Sequence, residues 1–144
     1  MDDFSVRSPI SDSEYDNYIH FRWSTLRKPL GMSRESSLDN KERSSIHLIG
    51  IINKEIVACG RLHFNNNIEA QIRYMSVNQN LKRRGYGSKI LSELERYAKR
   101  HSAEKIILNA RETAKEFYVV SGYKEIAPFK SVTGIPHIRM SKTL

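Results

Sequence analysis

The chain has 144 residues, 39% of them apolar, and a formal net charge of +8 at neutral pH. That length reads as one domain, residues 1–144, able to bury roughly 70% of its unfolded surface without disulfides or metals. No window approaches the ~18 apolar residues of a membrane helix, and the N-terminus lacks a basic-then-apolar signal pattern. The single Cys59 cannot form an internal disulfide, so a cytoplasmic setting is expected. The charge implies an anionic partner; a polyphosphate cofactor, nucleic acid or acidic substrate would each fit.

Phe4-Ser5-Val6-Arg7 alternates and reads as a first strand. Ser11-x-x-Glu14 has the form of a capping box. Tyr15, Tyr18, Ile19, Arg22, Trp23 and Leu26 then recur at helical spacing, which predicts a helix from about Asp12 to Leu26, broken by Lys28-Pro29-Leu30-Gly31. Ser33 to Ser44 is polar and reads as a mobile loop, either the cover of a substrate site or a solvated connector. Ser45 to Ile52, Ile56 to Phe64 and Ile68 to Val77 read as a three-strand meander with turns at Asn53-Lys54-Glu55 and Asn65-Asn66-Asn67.

The meander runs into Lys82-Arg83-Arg84-Gly85-Tyr86-Gly87-Ser88, three cations and two glycines, and then into Ile90, Leu91, Leu94, Tyr97 and Ala98 at helical period. A glycine turn opening a helix leaves backbone N–H groups unpaired at the positive end of the helix dipole, which is a phosphate cradle. Lys105 to Asn109 reads as a buried strand. Thr113-Ala114-Lys115-Glu116 has capping-box form and predicts a short helix stopped at Gly122. Tyr123 to Ile126 reads as a strand ended by Pro128, and Ile135 to Met140 as the last one. The order is α/β with a mixed sheet.

Lys82-Arg83-Arg84-Gly85-Tyr86-Gly87 resembles a motif of the GNAT N-acetyltransferases, Gln/Arg-x-x-Gly-x-Gly/Ala after a strand and opening a helix. Lys82 stands where that family usually has Gln or Arg. Asn109, Ala114, Phe117-Tyr118 and Gly122-Tyr123 are similar to a later motif of the same family, so the resemblance covers nearly the whole chain. Gly134 to Met140 looks like the tail of a small bacterial branch. The resemblance implies a three-layer fold, a mixed and mostly antiparallel central sheet flanked by helices. It implies acetyl-CoA as co-substrate and direct attack by the primary amine of a small-molecule or peptide acceptor. It also places Met75, Ser76 and Val77 against the thioester and pantetheine, Lys82 to Ser88 on the pyrophosphate, and Asn109 on the cofactor side. Tyr118 becomes the acid that protonates the leaving thiolate. Homodimers are a tendency of the family.

A phenol of ordinary pKa, about 10, stays protonated at neutral pH and can serve a thiolate of pKa about 8.5. The general base is left open among Glu69, His63, His137 and water. Gln71, at the position where the histone-acetylating branch carries its base, cannot accept a proton. The five histidines show no metal-ligand spacing, and Cys59 reads as a small core residue. Arg22, Trp23, Arg27 and the loop after Gly31 fall where the family builds its acceptor pocket; arginines there suit a carboxylate or phosphate, or form a solvated helix end. The positive net charge disfavours a polycationic acceptor.

Arg84-Gly85-Tyr86-Gly87 also matches the first half of an RNA-recognition signature, but Ser88 stands where an aromatic belongs, so no nucleic acid is expected. A non-catalytic acyl-CoA sensor would share the same motifs.

Overall fold

Residues 3–144 are described by the computed structural model. The elements are β1 (Ser5–Arg7), α1 (Asp12–Leu26), β2 (Ile46–Ile52), β3 (Glu55–Phe64), β4 (Glu69–Val77), α2 (Tyr86–Arg100), β5 (Lys105–Arg111), α3 (Lys115–Val120), β6 (Lys124–Lys130) and β7 (Pro136–Thr143). The strands form one sheet in the order β1-β2-β3-β4-β5-β7-β6. Only β4 and β5 pair in parallel among the described residues. This is the mixed, mostly antiparallel sheet expected, flanked by helices on both faces.

Alternation along the strands builds the core. Ala70 and Ile72 on β4, Ile106, Leu108 and Ala110 on β5, and Ile138 and Met140 on β7 face one side, where α2 and α3 pack on them. Helix α2 contributes Tyr86, Ile90, Leu91, Leu94 and Ala98 from one stripe. The other side carries α1, whose Tyr18, Ile19 and Phe21 pack on Ile49 and Cys59. Burying each large aliphatic side chain contributes roughly 1.5–3 kcal/mol. No helix among the described residues is long and apolar enough to cross a membrane.

Three expectations are corrected. Thr113 does not cap α3: a 3-10 turn at Glu112–Ala114 leads into the helix, and Ala114 sits at the cap without a side-chain hydrogen bond. Pro128 does not end β6, which runs on to Lys130 opposite Pro136. A proline is tolerated there because β6 is the outermost strand and its outward N–H positions need no partner. The third concerns Ser33 to Ser44, which is not a loose loop but a segment tied to the sheet by ion pairs. It forms 3-10 turns at Arg34–Ser37 and Glu42–Ser44 and inserts Asp39 and Glu42 against the sheet. The first capping box forms by half: the Glu14 N–H donates to Ser11 Oγ at 3.1 Å, but the Glu14 carboxylate takes the Ile10 N–H and Arg7 instead of closing on Ser11.

Arg22 and Arg61 are both wholly buried. Glu42 accepts from Arg22 Nη1 at 2.8 Å and from Arg61 Nη1 at 2.9 Å. Asp39 accepts from Arg61 at 2.6 and 3.0 Å and from Arg73 at 2.7 Å. The Tyr74 ring lies among the guanidiniums, 3.7 Å from Arg22, 4.6 Å from Arg73 and 5.0 Å from Arg61.

Tyr74 also marks a bulge. Cys59 pairs with Ser76 and Arg61 with Arg73, so Tyr74 and Met75 together oppose Gly60. Tyr74 takes a φ of 57°, left-handed for a residue with a Cβ. A side chain at Gly60 has no room: a Cβ there would lie 2.6 Å from Met75 Sδ and 2.8 Å from Ile90 Cγ2. The bulge re-aims the end of β4. Its pairing with β5 stops at Ile72 opposite Leu108, although β4 continues to Val77 and β5 to Arg111. Past that point the two parallel strands separate.

Candidate active site

The separation of β4 from β5 opens a cavity of about 400 Å³, within the range of small-molecule sites. Ile72, Met75, Leu108, Ala110, Ala114 and Tyr118 line it from the α3 side, and Gln71, Arg73, Asn109, Arg111, His137 and Arg139 from the α1 side. The registers Asn109–Arg139 and Arg111–His137 put these four on one face of the sheet. Their strand neighbours Leu108, Ala110, Ile138 and Met140 sit in the core on the other. The cavity therefore passes through the sheet, by way of the split.

Tyr118 is 7% exposed and lies edge-on to Phe117 and Tyr123, with centroids 4.9 and 5.7 Å away. Its hydroxyl has no hydrogen-bond partner among the described residues, whereas the Tyr123 hydroxyl donates to Glu95 at 2.8 Å. Burial pushes the Tyr118 phenol above its ordinary pKa. It therefore holds its proton throughout the neutral range.

Met75, Ser76 and Val77 form the end of β4 beyond the bulge. Ser76 pairs with Cys59 toward β3, while the opposite strand edge has lost β5. Asn109 lines the cavity, with its Oδ1 accepting from Arg139 Nε at 3.1 Å. The glycine turn lies outside the cavity lining. Gly85, at φ 85°, is the N-cap of α2, and no side chain caps the helix. Lys82, Arg83, Arg84 and Ser88 are exposed. Gly87 packs near Val77 and Phe117, 3.4 Å from where a Cβ would stand, an ordinary contact distance. The Tyr86 side chain is a core group: it is 2% exposed and stacks on Phe4 at 4.3 Å. Only its backbone is left at the turn. Residues from Tyr86 onward are helical, so the strand-borne aromatics that an RNA-recognition surface needs are not formed.

The three side-chain base candidates separate. Glu69 is held by Lys105 at 3.4 Å and by Asn65 at 2.9 Å, away from the cavity lining. His63 has both nitrogens engaged: Arg61 donates to Nδ1 at 3.0 Å, which leaves Nε2–H donating to Asn65 Oδ1 at 3.1 Å. Burial, with Arg61 beside it, pushes its pKa down. His137 alone of the three lines the cavity. Its Nδ1–H donates to the Ile135 carbonyl at 2.8 Å, so the Nε2 lone pair remains available.

The acceptor region read from sequence divides in the same way. Arg22 belongs to the buried ion network, and the Trp23 indole donates to the Met32 carbonyl at 2.9 Å. Arg27 does reach the cavity. Arg111, Arg139 and Lys130 line it too, outside the acceptor region read from sequence, although alternation along β5 and β7 places Arg111 with Asn109 and Arg139 with His137. Cys59 is fully buried; its thiol donates to the Tyr74 carbonyl at 3.2 Å, and burial pushes its pKa up to about 12. It is no nucleophile at neutral pH.

A family described as an acetyltransferase (GNAT) domain matches residues 28–144. Among solved structures, the fold is similar to that of Escherichia coli ElaA, at 18% identity over 99% of each chain with a TM-score of 0.82. It is similar to an aminoglycoside 6'-N-acetyltransferase complexed with coenzyme A, at 16% identity over 97% of this chain and 96% of that one, TM-score 0.79. It is also similar to a GNAT family acetyltransferase from Elizabethkingia anophelis with acetyl-CoA bound, at 14% identity over 100% of both chains, TM-score 0.72.

Proposed function

The chain belongs to the GNAT acetyltransferase family, and we propose that it is an N-acetyltransferase that moves an acetyl group from acetyl-CoA to a primary amine by direct attack. The observation that carries this reading is the cavity through the β4–β5 split, with the unpartnered Tyr118 hydroxyl on one side of the sheet and His137 on the other. A cytoplasmic setting and a small-molecule or peptide acceptor belong to the same reading.

The residues suit acetyl-CoA. The edge of β4 from Arg73 to Val77 has no strand partner toward β5, so its amide groups can pair with an extended pantetheine and donate to a thioester carbonyl. The turn of Lys82 to Ser88 offers uncapped helix amides and three exposed cations to a pyrophosphate. Bound there, acetyl-CoA supplies an acyl group on a thiol leaving group: a carbon–nitrogen bond forms and the carbon–sulfur bond breaks. His137 Nε2 takes the proton from the amine nitrogen. Tyr118 gives its proton to the departing sulfur and is reprotonated from solvent. The wall formed by Ile72, Leu108 and Ala110 keeps water from the reacting carbon.

Two variants probe the two halves. Gly85→Asp is expected to weaken acetyl-CoA binding about tenfold or more, by placing a carboxylate at the helix start. The cause is charge, since a Cβ at Gly85 meets nothing within 4 Å. Gly85→Asn, equal in shape and equally able to hold φ near 85°, therefore retains most of the affinity. Equal losses in calorimetric titrations of the two variants would remove the phosphate from this turn.

His137→Asn keeps a donor for Ile135, its amide nitrogen falling where Nδ1 stood, but places no proton acceptor at the Nε2 position. It is expected to lower kcat/KM about a hundredfold near neutral pH. The deficit should narrow as pH rises and the amine loses its proton unaided. A deficit constant with pH would take proton transfer away from His137. The reading itself is tested by titrating acetyl-CoA into the protein and measuring thiol release with a panel of amines. Absence of acetyl-CoA binding would defeat it.

A further inference from the structure

The α1-side end of the cavity carries more cation than the fold can use. Arg27, Arg73, Arg111 and Arg139 line it, and no Asp or Glu lines any part of the cavity. Arg73 is accounted for, because it is paired with Asp39 at 2.7 Å. The other guanidiniums are not. Arg27 is 7% exposed; its Nε donates to the Ser36 carbonyl at 3.2 Å and its guanidinium lies 5.8 Å from the Tyr74 ring, but its two terminal nitrogens have no hydrogen-bond partner among the described residues. Arg111 donates through Nη2 to the carbonyl of Leu26, the residue before Arg27, at 2.7 Å. That bond brings the end of α1 and the end of β5 together at the cavity wall. Arg139 donates to Asn109 and lies over the Phe129 ring at 5.1 Å. None of the three has a carboxylate within ion-pair distance among the described residues.

Burying a guanidinium without a counter-charge is costly, and here the like charges compound the cost. Burial pushes the Arg27 pKa down, and the neighbouring Arg73, Arg111 and Arg22 add to that against the opposing Tyr74. Burial pushes Arg111 down too. A cluster that opposes its own charging, opens into a cavity and lacks an internal anion is completed by an anion from outside. The CoA pyrophosphate does not fill this role, since the turn of Lys82 to Ser88 is not part of the lining.

Resting on the acetyltransferase reading, we infer that this end of the cavity binds a primary amine that also carries a carboxylate or phosphate group, held by Arg27, Arg111 and Arg139. His137, paired across the strands with Arg111, stands beside that anion site. The anion would anchor one end of the acceptor and present the amine to Nε2. Polyamines and aminoglycosides, cationic throughout, are rejected by the same charges.

The test uses matched amines that differ in the anion: O-phosphoethanolamine against ethanolamine, and β-alanine against ethylamine, with spermidine and kanamycin as polycations. Acetyl-CoA binding is measured separately by calorimetry. Acceptor binding to the CoA complex is measured by calorimetry and acetyl transfer by thiol release. The anionic member of each pair is expected to bind and react about tenfold or more better than its partner. In Arg111→Gln and in Arg139→Gln that preference should shrink to about threefold or less, and Arg111→Lys should restore part of it. A preference for spermidine, kanamycin or the partner lacking the anion, with acetyl-CoA binding intact, would overturn the anion site and leave the acetyltransferase reading standing. A preference for the anion unchanged in both Gln variants would overturn the residue assignment. Loss of acetyl-CoA binding in the unmutated protein would overturn both readings together.

Discussion

Tyr118→Phe is expected to lower turnover about a hundredfold while leaving acetyl-CoA affinity within about twofold. The phenol hydroxyl has no partner inside the protein, so its removal orphans no buried donor or acceptor. The ring contacts with Phe117 and Tyr123 are kept, and the thermal midpoint should hold. General acids contribute roughly a hundredfold to ten-thousandfold, and the low end applies here for a physical reason. Burial that raises the Tyr118 pKa makes the phenol a reluctant donor, so part of the gain from protonating sulfur is spent on leaving a buried phenolate. The same burial raises the basicity of a thiolate in the cavity, so the transfer stays only modestly uphill and is drawn forward by departure of the thiol. Because the raised pKa keeps Tyr118 protonated at neutral pH, its acid role sets no titration limb below that range. Turnover unchanged by the substitution would show that sulfur leaves as the thiolate or takes its proton from water.

The parts of the fold that depend on neighbours in sequence were legible. Helix α1 spans Asp12–Leu26 as its periodicity predicts, and the two glycines mark the start of α2. What was not legible depends on neighbours in space. The bulge is carried by Tyr74, with no glycine or proline of its own strand to announce it; Gly60 that permits it lies on the facing strand. Pro128 looked like a strand end because nothing local says that β6 is outermost. The polar run around Asp39 looked like a loose loop because its partners are distant, Arg61 22 residues away and Arg73 34 away. The site shows the same division. Tyr118, Met75 and Asn109 were named from motifs, and His137 was one of several bases. Only the split between β4 and β5 brings these four to one cavity and leaves Glu69 and His63 outside its lining.

Glu42→Gln is expected to cost about 3–5 kcal/mol at neutral pH, the range for removing one partner from a buried ion pair, or roughly 10–17 °C in thermal midpoint for a chain of this size. Glu42 accepts from Arg22 and Arg61, both wholly buried, and from the Asp39 N–H at 3.0 Å. A neutral amide leaves two buried guanidiniums short of charge, and the Nε atoms of both already lack partners. Acid should produce the same loss in the unmutated protein. Burial alone would raise the carboxyls of Glu42 and Asp39, but hydrogen bonds from Arg22 and Arg61, backbone N–H donors and the guanidinium charges together outweigh it and hold both below their ordinary values. Groups depressed in the folded state stabilise it fully above the unfolded pKa of about 4, and that stabilisation drains away as pH falls toward the folded values. The midpoint of the unmutated protein should therefore fall below about pH 4, while that of Glu42→Gln falls less, so the two curves converge. Parallel curves would mean that other carboxylates govern acid unfolding. The consequence reaches the site, because the segment pinned by Glu42 includes Ser36, whose carbonyl accepts from Arg27 at the cavity wall. A protein loosened at Glu42 should thus lose its acceptor preference before its grip on acetyl-CoA, whose proposed contacts lie on β4 and the start of α2, beyond the buried network.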